Sequence, residues 1–321
     1  MKTLLDPAIL FFVFGLLAGL MKSNLEIPPQ ISRFLSLYLL MSLGLKGGFA
    51  LAKSGVNGEV AITLACAVGL AISIPLLGYQ ILKRFVSGYD AAAIAATYGS
   101  VSAVTFITAT QFLENAGIPF GGHMAAAMAL MESPAIILAV LLANRTRHQL
   151  APQSQSKAGV SLSKLLHESL TDGAQVLLIG ALIIGLLTGE AGKAAMQPFS
   201  GDLFKGMLAF FLLDMGLLAS RNISGLKGKS VWVFLYAIAA PLLHASIALG
   251  LAHWLHISAG NAVLLMVLAA SASYIAVPAA IRFAIPEANP SLYVGMSLAL
   301  TFPFNLIVGI PLYTWFVLHL L

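Results

Sequence analysis

The sequence predicts an all-α polytopic membrane protein of ten transmembrane helices, arranged as two inverted five-helix repeats with crossed, discontinuous fourth and ninth helices. Three observations predict it. Hydrophobic residues fill 59% of the 321 positions and charged residues only 9%, where a soluble domain carries about 25% charged. Ten apolar runs alternate with polar breaks, and a span needs roughly 20 apolar residues. Motifs of the first half return in the second at a nearly constant offset, the mark of an internal duplication. Composition excludes a soluble globule. The unbroken apolar runs exclude an outer-membrane barrel, whose strands alternate polar and apolar residues. Cys66 is the single cysteine, which leaves no intrachain disulfide and no cysteine-based metal site.

Taken in order, the spans fall near 8–23, 32–52, 58–82, 88–113, 121–144, 173–190, 201–220, 230–255, 260–284 and 290–318. Lys2 ahead of the first run has the look of a signal peptide. Gly15 and Gly19, however, have counterparts in Gly185 and Gly189, so the run belongs to the repeat and counts as a span. Loops after the odd-numbered spans hold twelve of the seventeen lysines and arginines, among them Lys83, Arg84, Arg145, Arg147, Arg221 and Arg282. The positive-inside rule then puts both termini on the non-cytoplasmic side, and the basic loops read as topology determinants, with no nucleic-acid partner.

The repeat is carried by three matches. Leu40-Met41-Ser42-Leu43-Gly44-Leu45 aligns with Leu212-Leu213-Asp214-Met215-Gly216-Leu217 at an offset of 172. Ser100-Val101-Ser102-Ala103 aligns with Ser271-Ala272-Ser273-Tyr274 at 171, and Glu132-Ser133-Pro134 with Thr301-Phe302-Pro303 at 169. Each half holds five spans, an odd number, so the second half enters from the opposite face. Residues 1–144 form the first repeat, 145–172 a cytoplasmic linker, and 173–321 the second repeat. The linker is rich in Ser, Gln and basic residues and reads as flexible. Leu162, Leu165, Leu166 and Leu170 lie at helical spacing in it, so a short amphipathic helix, either a passive connector or a docking site, precedes the sixth span.

The chemistry concentrates where the fourth and ninth spans are interrupted by small polar residues, Thr97-Tyr98-Gly99-Ser100-Val101-Ser102-Ala103 and Ser271-Ala272-Ser273-Tyr274. Paired breaks in corresponding positions point to a transporter binding site. Unwinding frees N–H groups where the second half-helix starts, and each such end acts as about +0.5 charge. Two of them facing one point nearly neutralise a monovalent anion without Arg or Lys, and neither break has one nearby. A single Gly-Ser-x-Ser-Ala patch would read as close helix packing; two at a constant offset favour a site.

Glu132 sits near the middle of the fifth span, where an ionised carboxylate costs on the order of 3 kcal/mol in lipid. Three uses are open to it. It can ligate a small hard cation with Thr301 and Asn305, carry a proton, or hydrogen-bond to a neighbouring span. Asp214 aligns with Ser42, one turn before Lys46, so a Lys46–Asp214 ion pair is expected, with a direct ion or substrate role as the alternative. The seven histidines form no ligand set. An intramembrane serine hydrolase would need His244 beside Ser100 or Ser271, and no nucleophile motif surrounds either serine. No phosphate-binding loop stands in a suitable context, against ATP-driven transport.

On Tyr98-Gly99-Ser100-Val101-Ser102-Ala103, Met131-Glu132-Ser133-Pro134-Ala135 and Ser271-Ala272-Ser273-Tyr274, in that order within a five-plus-five topology, the chain resembles the sodium-dependent bicarbonate transporter family of cyanobacterial type over nearly its whole length. The resemblance implies a bile-acid-symporter or sodium/proton-antiporter-like fold. Spans 1, 2, 6 and 7 would form a gate domain, and spans 3, 4, 5, 8, 9 and 10 a core domain. It implies no enzyme but a secondary transporter, Na⁺-coupled bicarbonate uptake across the inner membrane in a carbon-concentrating mechanism, a homotrimer, and a PII-like regulatory protein on the cytoplasmic face. It would place the anion at Gly99, Ser100, Ser102, Ala103, Ser271, Ala272, Ser273 and Tyr274. Assigning Na⁺ to Glu132, Asn305 and Thr301 is an inference from the residues. A proton-coupled carrier of another small carboxylate, working through Glu132, is the alternative.

Overall fold

A computed structural model of the chain describes residues 6–55, 57–150, 167, 171–223, 226 and 229–321. The amphipathic segment expected over 162–170, and most of the linker, lie outside the described residues. Every regular element described is helical. In chain order these are α1 (Pro7–Leu20), α2 (Pro29–Ser54), α3 (Gly58–Leu82), α4 (Gly88–Gly99), α5 (Ala103–Ala116), α6 (Met124–Leu130) and α7 (Glu132–Leu150). They continue with α8 (Gly173–Met196), α9 (Phe204–Ile223), α10 (Val231–Trp254), α11 (Ala259–Ala270), α12 (Ala276–Ala284) and α13 (Pro290–Leu320). Seven stretches among the described residues are long and apolar enough to cross a membrane, one of them, Gly173–Ile223, containing both α8 and α9. The chain is a multi-pass membrane protein.

Short polar side chains start the helices where the sequence places them. Asp6 accepts from the Ala8 N–H at 2.9 Å with Pro7 at the first helical position. Asn57, Ser87, Asp172, Ser230 and Asn289 cap α3, α4, α8, α10 and α13 in the same way. Each cap satisfies one of the N–H groups that a helix start leaves without a partner.

The helices segregate into two groups. The most extensive packing is of α1 along α9 and of α2 along α8. Glycines allow it: a Cβ at Gly15 would collide with the Leu213 carbonyl, one at Gly216 with the Phe12 carbonyl, and one at Gly44 or Gly48 with the backbone of α8. Small residues let membrane helices approach to backbone contact, which replaces the hydrophobic drive that lipid removes. In the other group α4 packs on α3 and α7, and α11 on α10 and α13. Its inner members are almost solid with small side chains. Ala91 to Ala96 of α4 and Ala262 to Ala270 of α11 are essentially without exposure.

Candidate functional site

Helix α4 stops at Gly99 and α5 starts at Ala103, while α11 stops at Ala270 and α12 starts at Ala276. Both interruptions fall where the small polar residues predicted them. Gly99 packs against the ring of Pro75 on α3, a contact that admits no side chain. Beyond it the chain turns extended at Ser100 and Ser102. Ser102 caps α5 by accepting from the Thr105 N–H at 3.2 Å, and Ser273 accepts from the Val277 N–H at 3.3 Å.

The two interruptions meet. The Ser102 N–H donates to Ser271 Oγ at 3.0 Å, and the Ser273 N–H donates to the Thr97 carbonyl at 2.8 Å. These reciprocal bonds satisfy groups that unwinding would otherwise leave bare in a low-dielectric interior, where each costs several kcal/mol. The freed carbonyl of Ala270 is met by Asn305 Nδ2 at 2.8 Å, and Tyr313 in turn donates to Asn305 Oδ1 at 2.9 Å. Thr301 donates to the Ala237 carbonyl at 2.7 Å and lies 2.6 Å from the Tyr98 hydroxyl. Both residues stand in the part of α13 wound as π-helical turns over Gly295–Thr301 and Asn305–Gly309, a local geometry that recurs at functional sites.

A cavity of about 80 Å³ opens at this crossing. Ser102 and Ala103 from the start of α5, and Ser273, Tyr274 and Ala276 from the start of α12, line one side of it; Glu132 and Gln175 line another. By that measure a single water needs about 10–15 Å³, so the space holds a small hydrated ion or a planar oxyanion. Both half-helix N-termini border it, and among the described residues no lysine or arginine does.

The expected anion residues therefore divide. Ser102, Ala103, Ser273 and Tyr274 face the cavity, whereas Gly99, Ser100, Ser271 and Ala272 lie behind it, packing or bracing the breaks. The expected sodium set divides too. Glu132 faces the cavity and accepts from Gln175 Nε2, while Thr301 and Asn305 are engaged with carbonyls elsewhere at the crossing. Buried oxygens left without a partner among the described residues include the hydroxyls of Ser100 and Thr105, one on each side of the first break.

Lys46 and Asp214 do not pair. Asp214 accepts from Ser32 Oγ, and Lys46 lies 3.2 Å from both carboxylate oxygens of Glu114. The reason is distance along α2: Ser32 and Lys46 are 14 residues apart, about 21 Å at 1.5 Å per residue, so Asp214 beside one is out of reach of the other. Nor does a hydrolytic pair form. Ser271 Oγ donates to the Leu268 carbonyl at 3.0 Å, and neither Ser100 Oγ nor His244 Nδ1 has a partner. Residue-by-residue reading missed Gln175, Ser36 and Glu114. Gln175 reaches Glu132 across the whole linker, and no local spacing signals such a contact.

A family model described as the Na⁺-dependent bicarbonate transporter superfamily matches residues 7–318 of the chain. Among curated proteins none matches.

Proposed function

The chain belongs to the Na⁺-dependent bicarbonate transporter superfamily, and we propose that it performs Na⁺-coupled symport of bicarbonate by alternating access. The observation that carries this reading is the convergence of two half-helix N-termini and one carboxylate on a single small cavity. The two helix ends together amount to about one positive charge, which offsets an ionised Glu132 and leaves nothing over for a monovalent anion. An anion therefore enters only with a cation, and that requirement couples the two. Glu132, facing the cavity, supplies hard carboxylate oxygens suited to sodium. Thr301 and Asn305, engaged with carbonyls, would hold the crossing in shape.

The reading includes ten spans in two inverted repeats. Twin breaks in α4–α5 and α11–α12 support it, and so do glycine contacts that recur in α1 with α9 and in α8 with α2. The α1, α2, α8 and α9 group would be the gate, and the remaining helices the moving core. An inner-membrane location with both termini outside the cytoplasm, a homotrimer and a PII-like partner on the basic face complete it. Light scattering of the detergent-solubilised protein tests the trimer.

The deciding experiment is uptake of labelled bicarbonate into liposomes carrying the purified protein. An inward Na⁺ gradient should drive uptake, and Ser102→Ala or Ser273→Ala should lower it at least tenfold while the protein still melts cooperatively. Uptake that ignores sodium overturns the symport reading. A second reading, proton coupling through the buried Glu132, wins if uptake follows a pH gradient in sodium-free buffer and is lost in Glu132→Gln.

A further inference from the structure

Among the described residues no cationic side chain lines the crossing cavity, yet α2 carries one farther along its axis. Lys46 sits ten residues beyond Ser36, which borders the crossing cavity, and so lies about 15 Å along the helix axis on the face opposite the basic loops. There it lines a second cavity of about 310 Å³ together with Lys53, Lys193, Glu114 and Glu190. Phe106, Thr110 and Glu114 also line this space. They are one stripe of α5 at intervals of four, leading from the outer vestibule back toward Ser102.

Two contacts hold Lys46, and they belong to different groups of helices. Its ammonium lies 4.1 Å from the centroid of the Phe204 ring at the start of α9, inside its own group. Its other partner, Glu114, ends α5 in the opposite group, with both carboxylate oxygens at 3.2 Å. We propose that Lys46 is an outer anion-capture site for small planar oxyanions, occupied in this structure by the Glu114 carboxylate in place of the incoming substrate. The inference rests on the transport reading above.

The reasons are geometric and energetic. Bicarbonate presents the same planar O–C–O edge that Glu114 presents to Lys46. The pair is about one-third exposed, and such rim ion pairs are worth about 0–1 kcal/mol, so a millimolar anion can replace the glutamate. When the core group shifts to open the outer side, Glu114 is carried away on α5. Lys46 stays over Phe204, desolvated on one side by the ring, with its charge available. Lys193 is near Glu190 at 3.8 Å, so the vestibule, with three lysines against two glutamates, keeps a positive surplus that draws anions inward.

The test is the bicarbonate dependence of Na⁺-driven uptake in liposomes at low and high ionic strength. Lys46→Gln should raise the bicarbonate KM roughly fivefold to tenfold at low salt, leave kcat and the Na⁺ half-saturation within about twofold, and lose most of that difference at high salt. Glu114→Gln should lower KM, because the competitor for Lys46 is gone, and Lys46→Arg should restore most of the affinity. A Lys46→Gln KM equal to wild type at low salt overturns the proposal. So does a Glu114→Gln KM raised as far as that of Lys46→Gln, since the pair is then only a latch. Absence of Na⁺-driven uptake in the wild-type protein would instead sink the transport reading before any variant is compared.

Discussion

The two broken helices solve one problem with different materials. In the first break three residues separate α4 from α5, Gly99 gives up its side chain to Pro75, and the Ser100 hydroxyl is buried without a partner. In the second break five residues separate α11 from α12. Ala270 stands where the first break has glycine, and the Ser271 hydroxyl is engaged twice, donating to the Leu268 carbonyl and accepting from the Ser102 N–H. Where Ala103 follows the first serine pair, Tyr274 follows the second, its ring 5.2 Å from that of Phe302, which lies 5.3 Å from Phe12 on α1. The lesson is a division of labour. The second break spends its first serine on bracing the crossing, and the first break leaves the corresponding Ser100 hydroxyl unpartnered among the described residues.

The largest consequence concerns packing. Gly99→Ala should destabilise the protein by about 2–3 kcal/mol, because a Cβ has to enter the rigid Pro75 ring in a packed core. The reverse change at the aligned position, Ala270→Gly, should cost only about 1 kcal/mol through lost helix propensity. Thermal melts of the two purified variants check this, and equal melting points would erase the asymmetry.

Next comes the contrast between the serines. Ser271→Ala removes the acceptor for the Ser102 N–H and should cost about 1–2 kcal/mol, the penalty of an unsatisfied buried donor. Ser100→Ala removes a hydroxyl that has no partner among the described residues and should leave the melting temperature unchanged or raise it. Thermal melts of the two variants check the contrast, and a Ser100→Ala protein that melts as low as Ser271→Ala would overturn it.

How much of this could be read from residues alone follows from how far each signal reaches. The helices were legible because twenty apolar residues in a row have one meaning in a chain of this composition, and the breaks because Gly-Ser-x-Ser cannot continue an apolar helix at little cost. Ser102 and Ser273 were legible through their repeat alignment as the serines that stand at the two breaks. What failed was pairing between elements. The expected Lys46–Asp214 pair assumed that aligned positions approach one another, whereas Asp214 meets Ser32 and Lys46 meets Glu114. Glu132, Thr301 and Asn305 shared an alignment as well, yet the π-wound stretch of α13 turns Thr301 and Asn305 toward carbonyls. Helix rotation decides such contacts, and a drift of about 20° per seven residues leaves no trace in composition.

The far ends of the two second half-helices carry the contrast into the smallest effects. Helix α5 ends on Gly117 in the left-handed region, φ +69°, with open space around it, so Gly117→Ala should cost about 1 kcal/mol from backbone strain alone. Helix α12 ends differently: Arg147 on α7 donates to the Ala284 carbonyl at 3.0 Å and grips Glu287 through two bonds of 2.8 and 2.7 Å. Those bonds from Arg147 hold the Glu287 carboxyl below its ordinary range, against a smaller opposing effect of burial. A carboxyl depressed in the folded state contributes stability at neutral pH and loses it as the pH falls through the folded value. Both partners are about one-third exposed, so solvent screening keeps the contribution under about 1 kcal/mol. Glu287→Gln should therefore lower the melting temperature slightly at pH 7, and the gap to wild type should close progressively as the pH falls from the ordinary glutamate range, about 4.3, through the lower folded value of the wild-type carboxyl. Gly117→Ala should show a gap that does not change with pH, because strain in φ has no proton to lose. A pH-independent gap in Glu287→Gln would mean that the substitution acts through something other than the carboxylate charge.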